Sequence, residues 1–175
     1  MYSNLSYNGE VTIITKMGHK TISNKYYNNG TNLLFEVYAR ALTGQNVSSL
    51  IPAYIDIVRV QTIDDTTTYT QCLRDMAPVI VTYVDKVRAN EKGYTYGVPF
   101  TRVEAILTKN MFTSEFSDGD IHIQLKTSSE NLLASLHVDG LYDGVNNMTD
   151  GTQMIVVWDL YVTNKQRTTT EGGNI

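Results

Sequence analysis

From Pro52 onward, apolar residues recur at every second position, and that period suits pleated strands rather than helices. Ile121, Ile123 and Leu125 alternate strictly with His122, Gln124 and Lys126. Residues 154–163 carry Val156, Trp158, Leu160 and Val162 on one face, and Ile155, Val157 and Tyr161 on the other. A strand apolar on both faces belongs in the middle of a sheet. Further strands read at residues 54–61, 79–88, 94–109 and 132–138, the long one interrupted near Gly97 and Pro99, residues that favour a bulge or an edge. Polar stretches at 64–71 and 139–151 read as loops, and 90–93 and 117–120 as turns.

The N-terminal quarter differs. Residues 10–16 and 20–27 form a hairpin around Met17-Gly18-His19. The turn cluster Asn28-Asn29-Gly30-Thr31-Asn32 then leads into one helix, in which Leu33, Leu34, Val37, Tyr38, Ala41 and Leu42 make a single stripe. Arg40 suits its C-terminal dipole and Gly44 its termination. With about eight strands and one helix, the expected fold is mainly β. It is an antiparallel β-sandwich or jelly-roll-like double sheet, with the short helix laid on it to close the core. The expected division is an N-terminal hairpin or arm over 1–27, a sandwich over 28–164 with its helix at 32–43, and a tail over 165–175 that is flexible or ordered by a partner.

A chain of 175 residues suits one domain that folds without disulfide or metal. The single cysteine, Cys72, stands in no metal or redox spacing and reads as a half-buried small residue. Lys and Arg number 14 against 18 Asp and Glu, with no basic cluster to neutralise phosphates, so nucleic acid is not an expected partner. No apolar run is long enough for a membrane helix, and the first residues lack the pattern of a signal peptide, so the chain is expected to stay soluble in the cytoplasm where it is made. Tyrosine is abundant (12, against 4 Phe) and charge is sparse at 18%, a balance that suits surfaces covered by other protein.

No catalytic or cofactor-binding motif stands in the sequence, and no enzyme activity or cofactor is expected. His19, His122 and His137 read as surface residues. Asp118, Asp120 and His122, at i, i+2 and i+4 of a strand entrance, are the weak candidates for a metal. Asp139, Asp143 and Asp150 could cup calcium but read first as turn residues. Four Asn-x-Ser/Thr sequons, at Asn4, Asn29, Asn46 and Asn147, follow from an Asn- and Thr-rich composition. Tyr94 and Tyr96 share a strand face that could stack on sugar, while Tyr2, Tyr7, Tyr26 and Tyr27 are the candidate interface residues. Tyr26 and Tyr27, being adjacent on a strand, face opposite ways.

The order NNGTNLLFEVYARALTG, PAYIDIVRV, GDIHIQL, LLASLHVD and QMIVVWDLYVTN resembles a β-sandwich-like domain of minor structural proteins of tailed bacteriophages. Trp158 fits the closing strand of that pattern; His122 and Gln124 replace its usual glutamate and glycine, and Leu133-Ala134-Ser135 lacks its arginine. The resemblance implies a virion structural protein, made in the host cytoplasm, that decorates the capsid or joins the tail. Its implied partners are other virion proteins, and symmetry rules make a cyclic homo-oligomer, such as a trimer, the expected assembly of its own copies. A carbohydrate-binding module of a tail fibre or baseplate is the alternative, and a small jelly-roll hydrolase is disfavoured by the apolar inward positions.

Overall fold

A computed structural model describes residues 6–29, 32–88 and 95–163, and the fold below refers to these. Nine strands make two antiparallel sheets. The strands are β1 (Ser6–Met17), β2 (Lys20–Asn29), β3 (Pro52–Ile63), β4 (Thr66–Asp75), β5 (Val79–Arg88), β6 (Thr95–Leu107), β7 (Asp120–Thr127), β8 (Leu132–His137) and β9 (Gln153–Thr163). Helix α1 (Asn32–Leu42) precedes β3, a 3-10 turn (Lys109–Met111) follows β6, and helix α2 (Leu141–Asn146) precedes β9.

The topology is a set of hairpins dealt alternately to two layers. Hairpins β1–β2 and β5–β6 lie in a five-stranded sheet of order β2-β1-β9-β6-β5; hairpins β3–β4 and β7–β8 make a four-stranded sheet of order β4-β3-β7-β8. The last strand, β9, inserts between β1 and β6. That position explains why its sequence is apolar on both faces: Met154, Val156, Trp158 and Leu160 enter the core, while Ile155 and Val157 are also buried on the outer face. Facing them across the interior are Ile55 and Ile57 of β3, Ile121, Ile123 and Leu125 of β7, and Leu133, Ala134 and Leu136 of β8. One core joins both layers, which makes the molecule a two-layer β-sandwich.

The N-terminal hairpin turns on Gly18 with φ 57°, a backbone state that costs glycine nothing. It is not an appendage, as the expected division at residue 27 implied. β1 pairs with β9 from Ser6 to Lys16, and Val11 and Ile13 are core residues. Thr66–Asp75 is a strand, where the polar run at 64–71 had suggested a loop; Asp64 and Asp65, both with positive φ, make the two-residue turn that returns it along β3. Residues 139–151 are likewise no exposed loop. Leu141, Val145 and Met148 recur at helical spacing and are buried, so α2 plugs one end of the sandwich, held by Lys109 Nζ donating to the carbonyls of Asn146 (2.9 Å) and Met148 (3.3 Å).

β6 runs through Gly97 and Pro99 without a shift of register against β5. Its pairing with β9 starts only at Phe100, so the missing N–H of Pro99 falls where β6 has β5 alone as a neighbour. Helix α1 ends one residue earlier than expected, but it does not close the core with its whole stripe: Val37 is half-buried, whereas Ala41 is exposed and Leu42 is 70% exposed.

Candidate functional site

On the outer face of the four-stranded sheet, charged side chains form two clusters, while Arg59 of β3 falls on the face of Ile57. The inner cluster centres on Asp56 of β3, which has no exposed surface although it points away from the core. Register sets Asp56 opposite Arg74 on β4, and opposite Gln124 on β7, next to Lys126. Arg74 Nε and Nη2 donate to the two carboxylate oxygens at 2.7 Å each, and Lys126 Nζ lies 3.1 Å from Oδ2. The same guanidinium donates to Glu130 in the β7–β8 turn at 2.6 and 2.7 Å, and stacks 4.5 Å above the Tyr54 ring. Two carboxylates thus balance two cations. The hydrogen bonds that Arg74 donates, to Asp56 first and then to Glu130, hold its proton more tightly than usual, and Arg74 in turn holds the Glu130 carboxyl below its ordinary range. A buried carboxylate so fully paired fixes the positions of three strands and a turn; it has no oxygen left over to take a proton from a substrate.

The outer cluster stands at the entrance of β7. His122 and His137 are cross-strand partners, their ring centroids 5.2 Å apart. Their Nε2 atoms lie 3.3 and 2.8 Å from the same oxygen of Asp120, and that of His137 lies 3.5 Å from Asp139. His122 Nδ1 is 3.4 Å from the Ser135 hydroxyl. Of the expected trio, Asp120 and His122 do meet, but the third member is His137, which the β7–β8 pairing supplies, and not Asp118. Among the described residues no group of three or more His, Cys, Asp or Glu is arranged to hold a metal ion, and this applies equally to Asp139, Asp143 and Asp150. The cluster joins β7 and β8 through the shared Asp120 carboxylate, and the turn after β8 through the contact of Asp139 with His137.

Cys72 is fully buried, beyond the half-burial expected of it. Its Sγ contacts the carbonyls of Thr70 (3.4 Å) and Glu115 (3.6 Å), and burial pushes the thiol up from its ordinary range, against the nearby Arg59. A thiol so placed is a weak nucleophile.

The interface tyrosines separate. Tyr26 is half-buried and packs against the core, and burial with the nearby Asp139 charge raises its hydroxyl. In register, Tyr27 stands across from Glu10 and Tyr7 across from Val162. Tyr2 and Tyr94 lie outside the described residues, as does the tail at 165–175, and Tyr96 occupies a strand position across from Val87.

The five-stranded sheet presents a different outer face. One end is charged: Lys25 pairs with Glu10 at 2.6 Å, and Arg102 grips Asp159 with two bonds of 2.7 and 2.8 Å. The other end carries apolar residues. Ile14, Ile155 and Ile106 form a row across β1, β9 and β6, and Ile106 is half-exposed. On β5, Val79 and Val81, across from Glu104 and Arg102, are 61% and 41% exposed on this face, Ile80, across from the core residue Val103, is 42% exposed on the other, and Met76, just before that strand, is 69% exposed. Composition alone did not point here, because each residue taken singly reads as an ordinary strand position.

The architecture defines a two-layer antiparallel β-sandwich with one sealed outer face and one partly uncovered one. No protein-family model, curated protein or solved structure matches the chain. No helix among the described residues is long and apolar enough to cross a membrane.

Proposed function

We propose that the chain is a structural virion protein of a tailed phage, assembling on the capsid as a decoration or auxiliary protein, or on the tail, through symmetric contacts with other protein. The observation that carries this reading is the exposure of Val79 and Val81 on β5 and of Ile106 on β6, on the outer face of the five-stranded sheet. Exposed apolar surface of this kind serves association, and a single domain with low charge gains from being covered. The rigid sandwich supplies the block; copies of it and other virion proteins supply the cover.

The resemblance in the order of sequence signals is the second support, and it concerns the same strands that build the core. A carbohydrate-binding role draws less support, since Tyr26 turns to the core and Tyr54 lies under the Arg74 guanidinium.

The test is mass spectrometry of washed particles produced by the genome that encodes the chain. The reading expects the chain in the particles at a copy number that matches a symmetry of head or tail. Its absence from particles, with the chain present in the infected cell, would overturn the reading.

A further inference from the structure

The two charged clusters of the four-stranded sheet differ in balance. Asp56 and Glu130 face two cations, Arg74 and Lys126. Asp120 and Asp139 face two imidazoles instead, and among the described residues no lysine or arginine pairs with either carboxylate.

The imidazoles are brought together by strand pairing. His122 and His137 stand directly opposite on β7 and β8, so both side chains leave the same face of the sheet at a spacing where they meet. Their ring centroids are 5.2 Å apart, and their Nε2 atoms converge on the same Asp120 oxygen, at 3.3 and 2.8 Å. Both rings and both carboxylates keep exposed surface, and β8 is an edge strand, so an ion has a path from solvent.

We infer that His122 and His137 form a two-imidazole chelate for a divalent transition cation, of which zinc is the representative. Imidazole nitrogen suits zinc, copper and nickel, whereas calcium and magnesium take oxygen ligands. An ion about 2.1 Å from each Nε2 needs the two nitrogens about 3–4 Å apart, and small rotations of two partly exposed rings bring both onto one point beside Asp120. Nδ1 of His122, 3.4 Å from the Ser135 hydroxyl, then donates to that oxygen, the tautomer that leaves Nε2 open to the metal. Asp120 and Asp139 supply the negative charge that favours a dication. Two protein ligands do not make a closed structural site, and no group of three completes one among the described residues. Water fills the other positions, and the ion is held more weakly than in a four-ligand site. The bound ion ties the edge strand β8 to β7. The inference does not rest on the assembly reading.

Proton NMR of the full chain during titration with zinc chloride tests it. In the wild type the ring signals of His122 and His137 should move together and saturate at one ion per chain, while those of His19, in the exposed β1–β2 turn, stay in place. His122→Gln and His137→Gln, each with the circular dichroism of the wild type, should bind zinc about tenfold or more weakly, and His19→Gln should bind it as the wild type does. Calcium at the same concentration should leave all three rings unmoved. Rings of His122 and His137 that do not respond at millimolar zinc overturn the inference, and so does a folded His137→Gln chain with unchanged affinity. Calcium that displaces the zinc overturns it too, because the carboxylates would then be the ligands. The wild-type titration decides even where a variant does not fold, and none of these results depends on whether the chain is in a virion.

Discussion

The outer faces of the two sheets are built on opposite plans. On the four-stranded sheet a carboxylate without exposed surface, Asp56, is held by Arg74 and Lys126, and Arg74 is itself held by Glu130 and Tyr54. On the five-stranded sheet, Lys25, Glu10, Arg102 and Asp159 pair off, while Val79 and Val81 of β5 and Ile106 of β6 stay exposed beside Glu104 and Arg102. The first face is complete within one chain. The second is incomplete, and its missing cover is the reason to read it as a contact surface. A buried ion pair adds little net stability over an apolar replacement, but losing one partner strands the others, so it acts as a strict device of position. An apolar edge acts the other way: it tolerates change in the isolated chain and registers it on association.

Substitutions break or sharpen this contrast to different degrees. The largest effect is expected from Asp56→Ala, which leaves Arg74 and Lys126 facing a buried gap; a cost of about 3–5 kcal/mol is anticipated, read by urea unfolding. Next comes Val145→Ala in α2, a core deletion at the end of the sandwich, with a cost of about 2 kcal/mol by the same measurement. If the segment at 139–151 were a loop lying on the surface, that change would be nearly neutral. Lysine substitutions at Val79 and Val81 should move monomer stability by no more than about 0.5 kcal/mol, since both side chains are exposed, while their effect on association is large.

The smallest effect concerns pH. Arg74 holds the Glu130 carboxyl below its ordinary value, so in the folded chain Glu130 gives up its proton more readily than in the unfolded one. That contribution is present above the unfolded carboxyl range and is lost as pH falls through the folded value. Glu130→Gln should therefore lower the melting temperature slightly at neutral pH and flatten its fall on acidification, as read by thermal melts across the acidic range.

Much of the framework was legible in the sequence because it follows from period. The strand at Val79–Arg88, the helix beginning at Asn32 and the inward set Ile121, Ile123, Leu125, Val156 and Trp158 all stand where alternation or a helical stripe put them. β4 was not legible as a strand. Thr66 to Gln71 is polar at every position but Tyr69 because it forms an exposed edge, so it shows no alternation, and its signals were the β-branched threonines and the Asp64-Asp65 turn. α2 was hidden behind Asp-Gly steps, although Leu141, Val145 and Met148 already carried its spacing.

The clusters were the least legible feature. Arg74 meets Asp56 only through the β3–β4 register, which cannot be assigned once β4 is read as a loop. His137 reaches Asp120 only through the pairing of β8 with β7, so a reading confined to local spacing settles on Asp118 instead. The edge position of β5 is a property of strand order: nothing in Val79-Ile80-Val81 says that, among the described residues, no strand lies beyond it.

Hydrogen–deuterium exchange of the wild-type chain at low and at high protein concentration tests the contrast most directly. The amides of Val79 to Thr82 should gain protection as concentration rises, while those of β3 and β7 keep the protection they have. Equal exchange of the β5 amides at both concentrations, or a gain confined to the outer face of the four-stranded sheet, would contradict the account.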